Sequence, residues 1–313
     1  MALTRGRGSQ KLIQTGRMFL LTVSLGLLVL VIMAAPIISP LTHPTTRYGG
    51  QIADGSYLIP SKTLSSIDGE EDVWLSKVSQ SQAIAPIEID SDYTLDSDLT
   101  FKSHGFLVIA DDITLDLNGY TITGSEKGTG IDMNGRMGVT VKGGTIELFE
   151  YGIHLFDSSG NTLSGNTVTA NENGFTLENS NGNTITGNTA TANGDGFSLW
   201  GSSGNTITGN TATANDRAGF KLSISSNNNI FSGNTATTNE DGFNLRRNSD
   251  NNTFSGNTVT TNENGFALLS SSGNTFSGNT ATANGNGFTL GSNCENNTLT
   301  GNNVTDNEYG IYL

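Results

Sequence analysis

Few residues of this sequence could do chemistry, and their spacing narrows what that chemistry could be. The candidate soft-metal donors are His104, Met133, Met137, His154 and Cys294. A copper site needs such donors to converge, and their spacing does not cluster them. Carboxylates recur as Glu172, Asp195, Asp216, Glu240, Asp241, Glu263 and Asp306, each shortly before a Gly-apolar pair. A glycosidase needs two carboxylates ~5–9 Å apart. Elimination on a uronic acid needs a cation and a proton-abstracting base. The recurring position of these acids reads instead as an acidic stripe along one solvated edge, with no Asp cluster beside a His or Lys pair. The basic residues of the same stretch are Arg217, Lys221, Arg246 and Arg247. They could meet an acidic sugar but read first as surface charges. Calcium would find oxygen ligands at the Asp/Asn positions, although the GGxGxD nonapeptide is missing. The expectation is therefore no resident cofactor, with calcium and copper the two metal readings left open.

The elements that must position these residues are written as a repeat. Asn-Thr-apolar-Thr/Ser-Gly-Asn starts at Asn161, Asn183, Asn205, Asn229, Asn252, Asn274 and Asn297, with steps of 22 to 24 residues. Gly followed by an apolar residue falls at Gly130, Gly152, Gly174, Gly196, Gly219, Gly242, Gly265, Gly287 and Gly310, with steps of 22 or 23. Two markers keeping one period signal a solenoid. Each unit holds three short runs of period-two alternation. In one of them Phe175, Leu177, Ile185, Ala190 and Ala192 are expected to point inward. Three strands and three turns make one triangular coil. The predicted fold is thus all-β, a right-handed single-stranded parallel β-helix of 22–24-residue coils over 84–313. By alignment of the Gly markers, Met133 is expected inside and His154 outside as a lone imidazole. Cys294 reads as a turn or core residue.

Two sets of repeated side chains stand out. Asn166, Asn188, Asn210, Asn234, Asn257, Asn279 and Asn302 recur at one corner, and Asn171 to Asn307 at another. Asn tolerates left-handed turns, and its amide can bond the Asn above and below. A structural Asn ladder is expected there, not catalysis. Outward Thr residues pair across one apolar residue: Thr167 with Thr169, Thr189 with Thr191, Thr211 with Thr213, Thr235 with Thr237, Thr258 with Thr260, and Thr280 with Thr282. They are expected to stack as two hydroxyl files. Their expected spacing is ~6.6 Å along a strand and ~4.8 Å between coils. This face is the candidate binding surface, and it is similar to the flat arrays of ice-binding β-solenoids. Thr is also simply a good strand residue.

The stretch ADDITLDLNGYTITG at 110–124, then GTGIDMNG, VTVKGGTI and the NTITGN and GNGF units, resembles the NosD-type right-handed β-helix proteins. That resemblance covers roughly 84–313. It implies an exported protein from a superfamily that includes periplasmic copper-binding accessory proteins, carbohydrate-binding proteins and sugar hydrolases. The matching residues are the ones that build coils, so the resemblance is specific for fold more than function.

Charge and hydropathy give an address. Of a net charge of −14, Arg5, Arg7, Lys11 and Arg17 put four positive charges before an uncharged run from Met18 to Ser39. The remainder carries −18 and repels phosphates, which excludes nucleic acid as a partner. The 22-residue run can span ~30 Å of hydrocarbon at ~1.5 Å per residue. The predicted organisation is a cytoplasmic basic tail over 1–17, a single-pass transmembrane signal-anchor helix over 18–39, a tether and cap over 40–83, and the β-helix outside. A cleaved signal peptide is the competing reading. Residues 70–80 are expected to form a short helix. The sequence stops at Leu313 in mid-strand, so its open edge is expected to meet a cap, a partner or a second copy. The favoured function is a membrane-tethered, non-enzymatic polysaccharide-binding or adhesive surface protein. The alternatives are a polysaccharide lyase or glycosidase, an ice-binding protein, and a copper-accessory protein.

Overall fold

The computed structural model describes residues 57–61, 74–78 and 84–313. The basic stretch 1–17, the apolar segment 18–39 and most of 40–83 lie outside the described residues, and the anchor read from them lies there too. Among the described residues no helix is long and apolar enough to cross a membrane. Tyr57–Ser61 and Trp74–Val78 pair as a two-stranded sheet. The helix expected over 70–80 is therefore corrected to a strand. Trp and Val are strand formers, and a lone helix below ~12 residues is marginal.

From Ile84 onward the chain climbs through three parallel sheets of ten, ten and eleven strands. One coil shows the rule. Thr184–Thr186 lies on the first sheet, Thr189–Thr191 on the second and Asp195–Trp200 on the third, before Thr206–Thr208 returns to the first. Each strand pairs with its counterpart one coil away, as in Thr184↔Thr206 and Ala190↔Ala212. The middle residue of each three-residue strand points in, and its two neighbours point out.

The interior is a column of like on like. Phe175, Phe197, Phe220, Phe243, Phe266 and Phe288 stack along the third sheet with ring centroids 4.6–5.0 Å apart. Phe231, Phe254 and Phe276 on the first sheet meet them edge-on. Small residues opposite make room, with Ala190, Ala212, Ala236 and Ala281 fully buried on the second sheet. Gly196 illustrates why glycine precedes each Phe, since a Cβ there would lie 2.7 Å from the Gly219 carbonyl oxygen. Met133 is fully buried in this core.

All three corners carry Asn ladders. Along the Asn166 series, the backbone N–H and Nδ2 of each residue donate to Oδ1 of the next. Asn188 does so to Asn210 at 2.9 and 3.1 Å. The Asn161 and Asn171 series bond in the same way. Most of these side chains are fully buried. They satisfy turn backbone groups that no strand reaches, as where Asn188 Nδ2 donates to the Leu163 carbonyl at 2.8 Å. The left-handed residue at the first two corners is not the Asn but the one before it. Gly165, Gly187 and Gly209 fill that place at one corner, and Ala170, Ala192 and Ala214 at the next, with φ of 53–64°. This corrects Ala192, which is exposed at a turn while Asn193 takes the inward position. The third corner follows the same rule, with Gly160, Gly182 and Gly204, then Asn228, Asn251 and Asn296 at φ of 56–57°, each directly before a ladder Asn.

Asn210 makes and receives five ladder bonds, all in the interior. Replacing it with Ala strands buried donors and acceptors on two coils, so Asn210→Ala should lower stability by roughly 2–4 kcal/mol. Thr211→Ser on the solvated face should stay within about 0.5 kcal/mol. Urea denaturation followed by circular dichroism checks both.

Candidate functional site

Two of the three outer faces are monotonous. On the second sheet the first hydroxyl file is Thr167, Thr189, Thr211, Thr235, Thr258 and Thr280, in register from coil to coil. The other file is Thr169, Thr191, Thr213, Thr237, Thr260 and Thr282. Thr145 and Glu147 precede them, and Asn303 and Thr305 follow. Thr/Ser pairs fill the first sheet's outer face as well, broken by Ile230. The hydroxyl array is thus a property of two sheets, which follows from copying a good strand residue.

The third sheet differs. Its strands are longer and present three outward files. The first runs Tyr151, Asn173, Asp195, Ala218, Asp241 and Asn264, and the middle one His154, Thr176, Ser198, Lys221, Asn244 and Ala267. The outer file runs Phe156, Glu178, Trp200 and Ser223, then Arg246 and Leu269. Here almost every coil carries a different side chain. Several are outward yet sheltered by their neighbours, with Thr176 only 3% exposed, Ser198 2% and Asn244 4%.

Polar groups on this face lack partners. Among the described residues, five buried side-chain polar atoms have no hydrogen-bond partner in the protein. Four of them, His154 Nε2, Thr176 Oγ1, Asn244 Oδ1 and Asn286 Oδ1, belong to the outer face of the third sheet. The fifth, Asn166 Oδ1, is on a ladder. Each such atom costs roughly 1–3 kcal/mol, and their concentration on one face sets it apart from the other two.

Charges gather at the middle of the same face. Asp195 and Asp241 are 2% and 5% exposed, two coils apart with Ala218 between them. Lys221 Nζ bonds Asp195 at 2.8 Å and Arg217 Nη2 approaches it at 3.2 Å. Asn264 Nδ2 donates to Asp241 at 2.9 Å, Asn244 Nδ2 donates to its other oxygen, and Arg246 lies 3.8 Å away. All of these except Asn264, together with Glu240, line a cavity of about 120 Å³ over the small Ala218. Beside Lys221 stands Trp200, 39% exposed, donating to Ser198 Oγ at 2.7 Å with Lys221 Nζ 5.7 Å from its ring centre. The acidic stripe is therefore corrected. Asp195 and Asp241 turn into the face beside basic residues, because the residue directly before each Gly is outward on the long strand. Glu172, Asp216, Glu240, Glu263 and Asp306 stay exposed.

The Thr files take no part in this arrangement. Thr167, Thr189, Thr211, Thr235, Thr258 and Thr280 do not line the cavity, and none carries an unpartnered buried atom. The same holds for Thr169, Thr191, Thr213, Thr237, Thr260 and Thr282. On these three-residue strands with near-identical neighbours the Thr side chains are half-buried or exposed, and none is fully buried. The hydroxyls there meet solvent or each other, as Thr282 Oγ1 meets Thr305 Oγ1 at 3.2 Å and Thr260 Oγ1 meets Thr261 Oγ1 at 3.5 Å. The structure thus brings the sequence-predicted Thr residues together as an array but builds its sheltered polar groups one sheet away.

Two coils further toward the N-terminus the third face is aromatic. His154 stacks on Tyr151 at 4.9 Å and meets Phe156 edge-on at 6.3 Å, so it is not the lone exposed imidazole expected. Its Nε2 lies 3.7 Å from Glu178. Burial, then the charges of Glu150, Glu178 and Glu172, hold the Tyr151 phenol above its ordinary pKa.

A family model described as periplasmic copper-binding protein (NosD) matches residues 97–239 and 224–313, over two thirds of the chain. The chain belongs to the NosD family. No curated protein matches it. Among solved structures it is similar to a D317A mutant of the periplasmic alginate epimerase AlgG, at 16% identity and TM-score 0.56 over 70% of this chain and 76% of that one. It is also similar to the Azotobacter vinelandii mannuronan C-5 epimerase AlgE4 A-module, at 19% identity and TM-score 0.52 over 71% and 69%. At these identities the likeness shows the fold, a right-handed parallel β-helix.

The copper of the NosD description does not fit the donors described. Among the described residues no three of His, Cys, Asp or Glu converge as a metal site. Met133 is sealed in the core, Met137 is exposed on another side, and His104 Nδ1 accepts the Thr129 N–H. Cys294 lies in a turn near the far end, half-buried against the core. The residues missed in the sequence were Tyr151, Phe156, Thr176, Glu178, Ser198, Trp200 and Asn244. Their signal was variation, since the positions one before and two and four after each marker Gly change while the rest of the unit is copied.

Removing Asp195 leaves Lys221 without its carboxylate at a sheltered site. Because Arg217 is half-exposed, the cost should fall below the ~3–5 kcal/mol of a fully buried pair. Asp195→Ala should cost about 2–3 kcal/mol in urea denaturation, while Asp216→Ala should cost under about 0.5 kcal/mol. Ultraviolet titration should show one phenol ionising above the ordinary range that Tyr151→Phe abolishes. The raised pKa means its stabilisation is present below the unfolded value near 10 and is lost as pH rises through the folded value.

Proposed function

We propose that this protein is an extracytoplasmic β-helix that binds a polysaccharide along the outer face of its third sheet. The observation that carries this reading is the gathering of unpartnered buried polar atoms on that one face. A glycan supplies many hydroxyls that both donate and accept, and its pyranose faces suit the exposed Trp200 ring. The files repeat at the ~4.8 Å strand spacing, comparable to the length of one sugar unit, so a linear polymer can run up the coils and meet a new set of side chains at each step. Asp195 and Asp241, already held by Lys221, Arg217 and the Asn amides, act as oriented hydrogen-bonding groups rather than free acid and base. The reading is therefore non-enzymatic.

The NosD description as periplasmic supports an address outside the cytoplasm. The basic stretch 1–17 followed by the uncharged 18–39 supports a membrane tether. Two proteins of similar fold, an alginate epimerase and a mannuronan epimerase, are named for polysaccharides.

The test is a glycan array probed with the full chain, with variants on each face. Saturable binding should fall roughly tenfold or more in Trp200→Ala and should be unchanged in Thr189→Tyr on the second sheet. Loss with the Thr variant and not with the Trp variant would move the site to the hydroxyl files. No binding to any glycan would overturn the reading.

A further inference from the structure

The aromatic end of the third-sheet face carries a charge imbalance that the middle does not. Around the cavity over Ala218, three acids (Asp195, Glu240, Asp241) face three bases (Arg217, Lys221, Arg246). Around Tyr151 and His154 the acids stand almost alone. Glu178 lies 3.7 Å from His154 Nε2, Asp132 is the register partner of His154 one coil below, and Glu150 and Glu172 act on Tyr151 through their charge. No Lys or Arg among the described residues makes an ion pair with any of these four acids. Arg217 reaches Asn173 one coil above Tyr151 and is shared with Asp195, while Arg136 is held by the Asn134 and Ile109 carbonyls and Asp111.

An independent observation aims at the same spot. Thr176, the register partner of His154 one coil above, is 3% exposed, and its Oγ1 has no partner. It stands two residues before Glu178 on the same face of the same strand. A buried hydroxyl, the Glu178 carboxylate on the same strand and the stacked Tyr151 and His154 rings together suit a cation. They do not suit a metal ion, because no three of these ligands converge closely enough to hold one. A larger organic cation that spreads its contacts between ring faces and separate carboxylates fits better.

We propose that this end of the third-sheet face, built from Asp132, Tyr151, His154, Thr176 and Glu178, binds the protonated amino group of an amino sugar. The inference rests on the polysaccharide reading and names its substrate class: a glycan bearing free amines, not one whose amines are acetylated. The ammonium would donate to Glu178 and Thr176 Oγ1, with Asp132 adding its charge from the coil below His154 and the sugar ring against Tyr151. The ligand would then continue two coils on toward Trp200 and the charge-balanced cavity.

Calorimetry on the full chain tests this with three oligosaccharides of equal length: glucosamine, N-acetylglucosamine and glucose. Glucosamine oligomers should bind at least tenfold tighter than the N-acetylated ones. Glu178→Gln and Thr176→Val should each erase most of that preference with the fold intact by circular dichroism. Glu295→Gln, on a distant turn, should leave it unchanged. Equal binding of amine and acetamide overturns the inference. So does a preference that survives Glu178→Gln, since that would reflect only the acidic chain at large, and so does displacement of the amine by stoichiometric calcium. If glucose oligomers bind through Trp200 without an amine preference, the polysaccharide reading stands and the amino-sugar subsite falls. If no oligomer binds, both fall.

Discussion

Every coil of this β-helix depends on its neighbours for hydrogen bonds it cannot make itself, and the Asn ladders are where that dependence is strongest. A 22-residue triangular coil turns three times, and each turn leaves backbone groups that the parallel strands do not reach. The buried amides answer this by bonding down to one coil and up to the next, as Asn188 does with the Leu163 carbonyl and Asn210. The choice has consequences. From Asn161 onward it fixes Asn at three positions per coil and a left-handed residue beside each. It also leaves the stacked Phe column to fill a cross-section whose size cannot change from coil to coil. With corners and interior so constrained, only the outward strand positions are free to vary.

That freedom is used unevenly. On the first and second sheets the outward positions repeat Thr or Ser, while on the third they change at nearly every coil. Uniform faces give each coil the same solubility and strand propensity. A varied face that includes sheltered carboxylates, aromatic rings and unpartnered hydroxyl and amide oxygens carries a cost that uniform Thr would avoid. Lys221 on buried Asp195 and Trp200 on Ser198 are ordered contacts, not loose surface groups. Function is the simplest reason for one face to depart from the repeat.

The period was legible because two markers, the Gly-apolar pair and the Asn-Thr motif, count the same coil independently. Parallel pairing and the inward Phe, Leu and Ile followed from it. Ala192 was misread because simple alternation was carried one residue too far, into a corner where φ is 54°. The Thr files were legible as an array, but repetition drew attention to Thr169, Thr213, Thr237, Thr260 and Thr282 where the sheltered polar groups lie on the face that does not repeat. The site was hidden for a related reason. Asp195 and Asp241 look like part of a turn-edge stripe with Glu172 and Glu263, and only the register of the six-residue strand shows that the residue directly before Gly turns into the face while its predecessor stays out. His154 looked solitary because its companions Tyr151 and Phe156 are its own strand neighbours, and Glu178 lies a full coil away in sequence. Spacing along the chain shows which residues share a coil position. Which of them are sheltered depends on the bulk of the side chains beside them.

The central claim, that the varied third face and not the Thr files meets the ligand, is tested most directly by nuclear magnetic resonance mapping of the full chain as a bound oligosaccharide is titrated in. The account predicts that the Trp200 indole N–H and the side-chain amides of Asn173, Asn244 and Asn264 shift together and saturate, while Thr189, Thr211 and Thr235 stay still. Shifts confined to those Thr residues and their neighbours on the second sheet would contradict it.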